Sequence, residues 1–278
     1  MADVVMDRRR ALAVIGGAGA ALVAGACGNG TNEGVGGSST APTSAAGTST
    51  TAVGAATGPV TADRFGAAAS CQLSPSLTEG PYYIDVDSIR GDIREDRQGT
   101  RLLLAARILD SDGCTPVKDA VFEIWHCDAS GNYSGFQASA GGAGGGGPGG
   151  GGPGGGGPGG GGPGGSISPT DGARFLRGAQ VTNGDGIAQI TTIYPGWYQG
   201  RTVHVHAKVF ISNAEVLTTQ LFFDDELNDE VFAAAPYSAH GQRSTRNRDD
   251  GIFSQKTVMT AARDGDGYLA LINIGVDR

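Results

Sequence analysis

Short apolar runs separated by turn residues dominate the chain after residue 70. Six of these runs have the length and composition of β-strands. They lie at residues 101–109, 120–125, 187–193, 202–211, 218–223 and 268–274. Turn residues bound most of them, and no long stretch shows the 3.6-residue period of an amphipathic helix. Short strands at this spacing predict an all-β fold, an antiparallel β-sandwich with long loops.

The N-terminal part of the chain has a different pattern. Residues 1–27 join a charged start to an apolar stretch, 11–26, that is shorter than a membrane-spanning helix. Arg8 and Arg9, followed by Leu12, resemble a twin-arginine signal, which exports folded proteins. We therefore expect residues 1–27 to be an export signal, with an ordinary secretory signal as the alternative to the twin-arginine route.

Residues 24–27 read Ala-Gly-Ala-Cys and resemble a bacterial lipobox, in which Cys27 would be lipidated. Ala24 stands where such motifs usually have a larger aliphatic residue, so plain cleavage near this point stays open. Residues 28–70 are rich in Gly, Ser, Thr and Ala and predict a disordered linker. These features predict a secreted protein or a lipoprotein on the outer face of the membrane, with a folded domain at 71–278.

One segment of that domain is of low complexity. Residues 141–165 hold 20 of the 50 glycines, with a proline at every fifth position from 148 to 163. A period of five excludes the collagen helix, which needs glycine at every third position. The segment predicts a Gly/Pro-rich surface loop inserted between two strands, whose role the sequence leaves open.

The net charge of the chain argues against one class of function, and its cysteines limit the possible disulfides. With 20 basic and 28 acidic residues the formal charge is −8, and no basic cluster occurs after residue 10, which argues against nucleic-acid binding. Cys71, Cys114 and Cys127 allow one disulfide in an exported domain. A Cys71–Cys114 bond would pin the N-terminal end of the domain to a turn, with Cys127 as a buried thiol. The sequence alone does not fix this pairing.

Two histidines carry the first chemical signal. On a strand at 202–211, Val203 and Val205 would face one side, and His204 and His206 the other. Two imidazoles on one face can bind one metal ion. Copper held by this pair is one interpretation, and an ordinary polar strand face is another.

Two tyrosines follow glycine turns at the ends of strands. Tyr133 comes after Gly131, and Tyr198 comes after the Pro195-Gly196 turn. With these residues in place, the sequence resembles the intradiol ring-cleavage dioxygenases, the family of catechol and protocatechuate dioxygenases, in an exported bacterial branch. Five motifs in the family's order carry the resemblance over residues 71–278. They are Gly80-Pro81-Tyr82-Tyr83; Trp125, Ala129, Gly131 and Tyr133; Pro195, Gly196 and Tyr198; Arg201, His204 and His206; and Thr219-Gln220.

The resemblance implies a transthyretin-like sandwich and a non-haem Fe(III) site. Its protein ligands would be Tyr133, Tyr198, His204 and His206. Two phenolates are hard anionic donors, which suit Fe(III) better than Fe(II). The soft thiolate of the nearby Cys127 does not suit such a site.

Catalytic roles follow from the same resemblance. Tyr198 would be the ligand that leaves during turnover, and Arg201 would stabilise negative charge that develops on the substrate. Gln220 would position a histidine or Arg201. Tyr83 would line the substrate pocket or pack in the core. We expect His240 to be solvated.

The implied reaction cleaves a catechol-type ring with O₂ between the two hydroxyl-bearing carbons and gives a cis,cis-muconate-type diacid. The main alternative is a tethered transthyretin-like binding module without catalysis. Extradiol cleavage is disfavoured, because that chemistry uses two histidines and one carboxylate on Fe(II). The preferred catechol and the oligomeric state stay open.

Overall fold

The computed structural model describes residues 6–7, 58–66, 71–136 and 167–278. Within these ranges the chain forms ten strands in two sheets and one α-helix. The strands are β1 (Met6–Asp7), β2 (Ser88–Ile89), β3 (Arg101–Asp110), β4 (Val121–Trp125), β5 (Arg177–Val181), β6 (Ile187–Ile193), β7 (His204–Ile211), β8 (Ala214–Phe222), β9 (Thr260–Asp264) and β10 (Gly267–Val276). The helix, α1, spans Asp225–Phe232, and 3-10 helices span Ala62–Phe65, Tyr237–His240, Asn247–Asp249 and Gln255–Thr257. No helix of the described part is long and apolar enough to cross a membrane.

The two sheets form a sandwich with a shared core. One sheet has the strand order β1-β2-β5-β4-β7-β8, and the other has the order β6-β3-β10-β9. The β-sandwich prediction is therefore confirmed, but the prediction that it is antiparallel throughout is wrong. β3 pairs in parallel with β10, and β2 pairs in parallel with β5. Most of the domain lies between β3 and β10, so no hairpin turn forces these two strands to run in opposite directions.

Alternate side chains of β3 pack into two separate hydrophobic clusters, one on each face of the four-stranded sheet. Leu102 and Leu104 face the main core between the sheets, and Leu103 faces the outer side of the four-stranded sheet. Val60 and Phe65 cover that outer side and are buried there. The prediction of a disordered linker up to residue 70 is therefore wrong for residues 58–66. These two bulky apolar side chains cover surface that β3 would otherwise expose, which favours order over disorder.

Other predictions about the N-terminal region lie outside the described residues. These are the lipobox at Cys27, the linker before residue 58, and all of the export signal except Met6 and Asp7. The backbone of that two-residue strand pairs with β2. The Gly/Pro-rich insertion at 141–165 also lies outside.

The side chains of β7 alternate between the two faces of the sheet as the sequence predicts. Val205 and Ala207 are fully buried in the main core, and Val203, just before the strand, joins them. His204 and His206 lie on the opposite face of the six-stranded sheet, as alternation along a strand requires. This placement puts both imidazoles outside the sandwich core and under the loops that cover the sheet.

The sequence analysis missed the two-residue strands β1 and β2, the 3-10 helices, and three longer elements. β5 and β9 are five-residue strands that carry arginines and small residues, so their apolar pattern is weak. The helix α1 has only eight residues, which is too short for a clear helical period. Tertiary packing stabilises such elements more than their intrinsic propensity does.

Cys71 and Cys114 form a disulfide in the structure, and Cys127 is a buried free thiol. The bond joins the start of the domain at residue 71 to the turn after β3. It closes a loop with a sequence separation of 43 residues. Closing a loop of this size restricts the unfolded chain more than the folded one.

We expect reduction of this disulfide to lower the free energy of unfolding by about 2–4 kcal/mol. For a domain of this size that corresponds to a fall of roughly 4–16 °C in melting temperature. Thermal unfolding with and without reductant measures it. The control is the Cys71→Ser/Cys114→Ser double variant, whose melting temperature should not respond to reductant. An unchanged melting temperature of the wild type on full reduction would contradict the expectation.

Candidate metal centre

The four predicted ligands meet at one point of the structure. His204 Nε2 lies 3.1 Å from Tyr198 Oη, 3.2 Å from His206 Nε2 and 3.4 Å from Tyr133 Oη. The histidines come from β7, and the tyrosines come from the turns that follow β4 and β6. Tyr133, His204 and His206 are each at most 3% exposed, whereas Tyr198 is partly exposed. We call these four residues the ligand group.

The spacing of these atoms fits a shared metal ion. Donors that each lie about 2.0–2.2 Å from one ion are separated from one another by roughly 3 Å. His204 Nδ1 donates to the carbonyl oxygen of Thr202 at 2.7 Å, because that oxygen can only accept. The Nε2 atom of the neutral ring therefore carries no hydrogen and is free to bind a cation. Second-shell bonds of this kind orient metal-bound histidines in general.

The protonation states of the ligand group also suit a metal. Burial lowers the pKa of His204 and His206 well below the usual value, so both rings are neutral at pH 7. Burial raises the pKa of Tyr133 well above its usual value. Its phenol therefore keeps its proton unless a cation lies beside it. In the described ranges no cluster of three or more His, Cys, Asp or Glu side chains could hold a metal, so the tyrosines are needed to complete this donor set.

The Gly80–Tyr83 segment closes one side of the ligand group. A Cβ atom on Gly80 would lie 3.0 Å from His206 Cε1, so glycine allows this backbone to pass close to the ring. Tyr82 stacks on Tyr133 with ring centroids 4.6 Å apart. On another side Trp125 stacks on His206 at 4.9 Å and 7°. Aromatic surfaces therefore shield both ligands from water.

Tyr83 has a different neighbourhood from the one that the motif suggested. Its ring packs against Trp125 at 4.9 Å, and Lys208 Nζ lies 4.1 Å from the ring centroid. Its hydroxyl group donates to Glu123 Oε2 at 3.3 Å. Tyr83 is partly exposed and reaches the ligand group through Trp125. Tyr82, which the sequence analysis did not single out, provides a side chain of this segment that contacts a predicted ligand, Tyr133.

Arg201 and Gln220 lie together beside the ligand group. Arg201 Nη1 is 3.4 Å from His204 Nε2, and Arg201 Nη2 donates to Gln220 Oε1 at 2.5 Å. Asp250 accepts from Arg201 Nε at 2.9 Å. Gln220 in turn donates to the carbonyl oxygen of Thr78 at 2.8 Å. Gln220 thus holds Arg201, which is one of the two roles that the resemblance left open for it.

The sequence analysis missed Asp250, which is buried and orients Arg201. Its Oδ2 atom also accepts from the backbone N–H of Thr202 at 2.9 Å. The carboxylate therefore fixes both the guanidinium and the backbone that leads into β7. It lies 49 residues after Arg201 in a loop of ordinary composition, so no local pattern marks it.

Two glycines dock the two tyrosine turns against each other. A Cβ atom on Gly131 would lie 2.4 Å from the carbonyl oxygen of Trp197. A Cβ atom on Gly196 would lie 2.4 Å from the carbonyl oxygen of Asp128. Gly196 N donates to the same Asp128 oxygen at 3.1 Å. The turns that carry Tyr133 and Tyr198 therefore approach as closely as they do because neither glycine has a side chain.

We expect Gly196→Ala to weaken metal binding and to destabilise the domain by about 1–3 kcal/mol, the usual cost of overpacking. The added methyl group would push apart the two turns that bring the tyrosines together. Metal content and thermal unfolding measure the effect. Gly184→Ala is the matched control, because a Cβ atom there meets nothing within 4 Å. Equal stability and metal content of the two variants would show that the turns tolerate a methyl group at position 196.

The remaining histidines lie outside the ligand group. His126 is fully buried, and burial lowers its pKa to about 4. Its Nδ1 atom bonds to the carbonyl oxygen of Cys127 at 2.8 Å, and its Nε2 atom bonds to Thr192 Oγ1 at 2.7 Å, so it supports the core. His240, expected to be solvated, is only partly so: it is half-buried, its ring packs on Trp197, and its Nε2 atom lies 3.0 Å from the carbonyl oxygen of Trp197.

The fold and the candidate metal site together indicate the class of protein. A mixed β-sandwich that collects two tyrosines and two histidines on one sheet face fits a dioxygenase. The family model described as "Dioxygenase" matches residues 74–143 of this chain. That range contains the Gly80–Tyr83 segment and Tyr133. The match thus agrees with the site in pointing to a dioxygenase.

Solved structures identify the family. The intradiol ring-cleavage dioxygenase from Tetranychus urticae is 31% identical with a TM-score of 0.63, over 74% of this chain and 95% of that one. The dioxygenase domain of a dioxygenase–carbohydrate-binding protein fusion from Streptomyces sp. SirexAA-E is 24% identical, with a TM-score of 0.51, and shows the same fold over 99% of its length. This chain belongs to the intradiol ring-cleavage dioxygenase family.

A curated relative agrees with this assignment over a shorter span. Chlorocatechol 1,2-dioxygenase from Rhodococcus opacus is 24% identical over 152 residues. The match covers 55% of this chain and spans about half, 54%, of that relative.

Proposed function

We propose that this protein cleaves catechol-type rings with O₂ between the two hydroxyl-bearing carbons, using a non-haem Fe(III) ion. Tyr133, Tyr198, His204 and His206 would hold the iron. The observation that carries the proposal is the approach of Tyr133, Tyr198 and His206 to within 3.1–3.4 Å of His204 Nε2. Two hard phenolates and two neutral imidazoles are a donor set that suits Fe(III).

When bound, ferric iron acts as a Lewis acid that lowers the pKa of a catechol hydroxyl group and accepts electron density from the ring. The reaction breaks one carbon–carbon bond, and each of the two carbons gains one oxygen atom. Catechol and O₂ therefore give a cis,cis-muconate-type diacid without an external reductant. The substrates are a small aromatic diol and O₂.

Tyr198 has the position of a proton acceptor for the substrate. It is the partly exposed tyrosine of the ligand group, so an incoming diol can reach its hydroxyl group. Its Oη atom lies 3.1 Å from His204 Nε2. A phenolate that leaves the ligand group can take a hydroxyl proton from the diol at Oη.

We expect Tyr198→Phe to retain more iron than a variant without one of the histidines, yet to lose turnover. Phenylalanine keeps the ring but has no oxygen to bind iron or to accept a proton. Iron content and oxygen uptake measure the two effects separately. Full turnover of the phenylalanine variant would show that Tyr198 has no part in proton transfer.

Arg201 is placed to stabilise negative charge on the substrate. Its guanidinium lies beside His204 and is fixed by Gln220 and Asp250, so it needs little rearrangement when charge develops. The Arg201 guanidinium is therefore already oriented before substrate binds.

The product of catechol turnover tests the proposal. Intradiol cleavage gives a colourless cis,cis-muconate that carries label from ¹⁸O₂, whereas extradiol cleavage gives a yellow semialdehyde. The iron-loaded protein should also be reddish, from charge transfer between tyrosinate and Fe(III). A yellow product would disprove intradiol cleavage. Absence of oxygen uptake with a panel of catechols, despite bound iron, would favour a binding module instead.

The chain is further proposed to be exported, as a secreted protein or a lipoprotein on the outer face of the membrane. Arg8 and Arg9, the lipobox-like Cys27 and the Cys71–Cys114 bond support this location, because disulfides persist outside the cytosol. Cell fractionation of the wild type, Arg8→Lys/Arg9→Lys and Cys27→Ser tests it. Wild-type protein found only in the cytosol would contradict export. If Cys27 carries a lipid, Cys27→Ser should leave the membrane fraction, so the same membrane-bound share in this variant and the wild type would contradict the lipid anchor.

A further inference from the structure

The 3-10 helix Tyr237–His240 lies against the turn that leads into Tyr198. At the start of this turn, Tyr237 Oη donates to the carbonyl oxygen of Tyr194 at 2.6 Å. The same hydroxyl oxygen accepts from Thr100 N at 3.1 Å. Tyr237 is only 1% exposed, so this end of the turn is anchored in the core.

His240 holds the other end of the turn. Its Nε2 atom lies 3.0 Å from the carbonyl oxygen of Trp197 and must donate, since that oxygen can only accept. Its ring also packs on the Trp197 ring, with centroids 4.5 Å apart. The bonded carbonyl belongs to the peptide unit that joins Trp197 to Tyr198. His240 thus contacts the backbone immediately before Tyr198, the partly exposed tyrosine of the ligand group.

Other contacts also constrain this backbone. Gly131 packs on the Trp197 carbonyl oxygen, but its own N–H donates to Asp128 O at 3.0 Å. Gly196 N bonds to Asp128 O at 3.1 Å, and Gly196 O accepts from Cys127 Sγ at 3.5 Å, both one residue further from Tyr198. On the far side, the carbonyl oxygen of Tyr198 accepts from Arg201 N at 3.4 Å, whereas Gln199 and Gly200 are exposed. Among these contacts, the bond from His240 is the one that a side chain makes to the peptide unit joining Trp197 to Tyr198.

We propose that His240 is a positioning residue that sets the place of the Tyr198 phenol in the ligand group. The proposal rests on the proposed function, in which Tyr198 binds the metal, leaves it and returns. A fixed Trp197 carbonyl confines this movement to the Tyr198 side chain, so the phenol returns to the same position after each turnover. His240 acts through Trp197 and touches neither substrate nor metal.

Three variants of His240 separate the hydrogen bond from packing. His240→Phe keeps a ring on Trp197 but has no donor, His240→Gln keeps an N–H donor of similar reach, and His240→Ala has neither. Ser238→Ala is the matched control, since Ser238 lies exposed on the same short helix. All are prepared as the full chain, with and without iron.

With iron, we expect His240→Phe to keep its metal but to shift or weaken the tyrosinate charge-transfer band. Its kcat should fall about two- to tenfold, the effect of one lost hydrogen bond, with little change in KM. His240→Gln should restore most of both signals, and Ser238→Ala should match the wild type. A wild-type band and kcat in both His240→Phe and His240→Ala would overturn the proposal. Equal losses in His240→Phe and His240→Gln, together with a lower melting temperature, would show a purely structural role.

Hydrogen exchange of the metal-free protein separates this proposal from the proposed function. Amides of residues 194–201 should exchange about two- to tenfold faster in His240→Phe than in Ser238→Ala, and His240→Gln should slow them again. This result does not depend on catalysis, so it stands even if the wild type proves inactive with catechols. Unchanged exchange in His240→Phe would overturn the positioning role by itself.

Discussion

Replacing His204 or His206 with alanine is expected to remove most of the bound iron and all measurable ring cleavage. In the proposed site each imidazole would supply one of four protein donors, and the two Nε2 atoms lie 3.2 Å apart. Loss of a residue one step away from a metal ligand already weakens binding 10- to 100-fold. Loss of a ligand should therefore cost at least about 100-fold.

Metal analysis of purified protein measures this effect directly. The matched control is His240→Gln, which also removes an imidazole but lies outside the ligand group and should keep its iron. Melting temperatures of the metal-free variants show whether the fold survives, since both rings are buried. Full iron content in both alanine variants would mean that the metal binds elsewhere, and the assignment of the ligand group would be wrong.

Arg201→Ala is expected to slow turnover by about 10²–10³ without loss of iron. The guanidinium carries charge beside the ligand group, with Nη1 at 3.4 Å from His204 Nε2, but it supplies no metal bond. Its donors are already fixed by Gln220 and Asp250, so the site spends little energy on orienting it during the reaction. Turnover with saturating catechol, at equal iron content, measures the effect.

A second variant separates electrostatics from structure. Removing Arg201 leaves the buried Asp250 carboxylate without its cationic partner, which costs stability. The double variant Arg201→Ala/Asp250→Asn removes that unpaired charge and should regain stability but not rate. Arg263→Ala removes an arginine from an exposed ion pair with Glu230 and should leave the rate unchanged. A rate for Arg201→Ala within threefold of the wild type would exclude the electrostatic role.

Sequence alone determined the features that depend on local backbone geometry. Side chains alternate across any strand, so the pattern of residues 202–211 was enough to place His204 and His206 on one face and the valines in the core. All six predicted strands are present; the strand at 187–193 has the predicted bounds, and the other five have shifted ends, because packing decides where a strand begins and ends. The order of the glycine turns and tyrosines was likewise readable as a motif.

Tertiary structure alone decided which distant residues meet. Tyr133 lies 71 residues before His204, and no periodicity within either segment reports that separation in space. Asp250 comes from a loop and His240 from a short 3-10 helix, neither with a sequence pattern, yet they bond to Arg201 and to the Tyr198 turn. The parallel pairing of β3 with β10 and the burial of Val60 and Phe65 have the same origin. Such contacts depend on the path of the whole chain, because the buried area and hydrogen bonds that stabilise them exist only once both partners have been brought together.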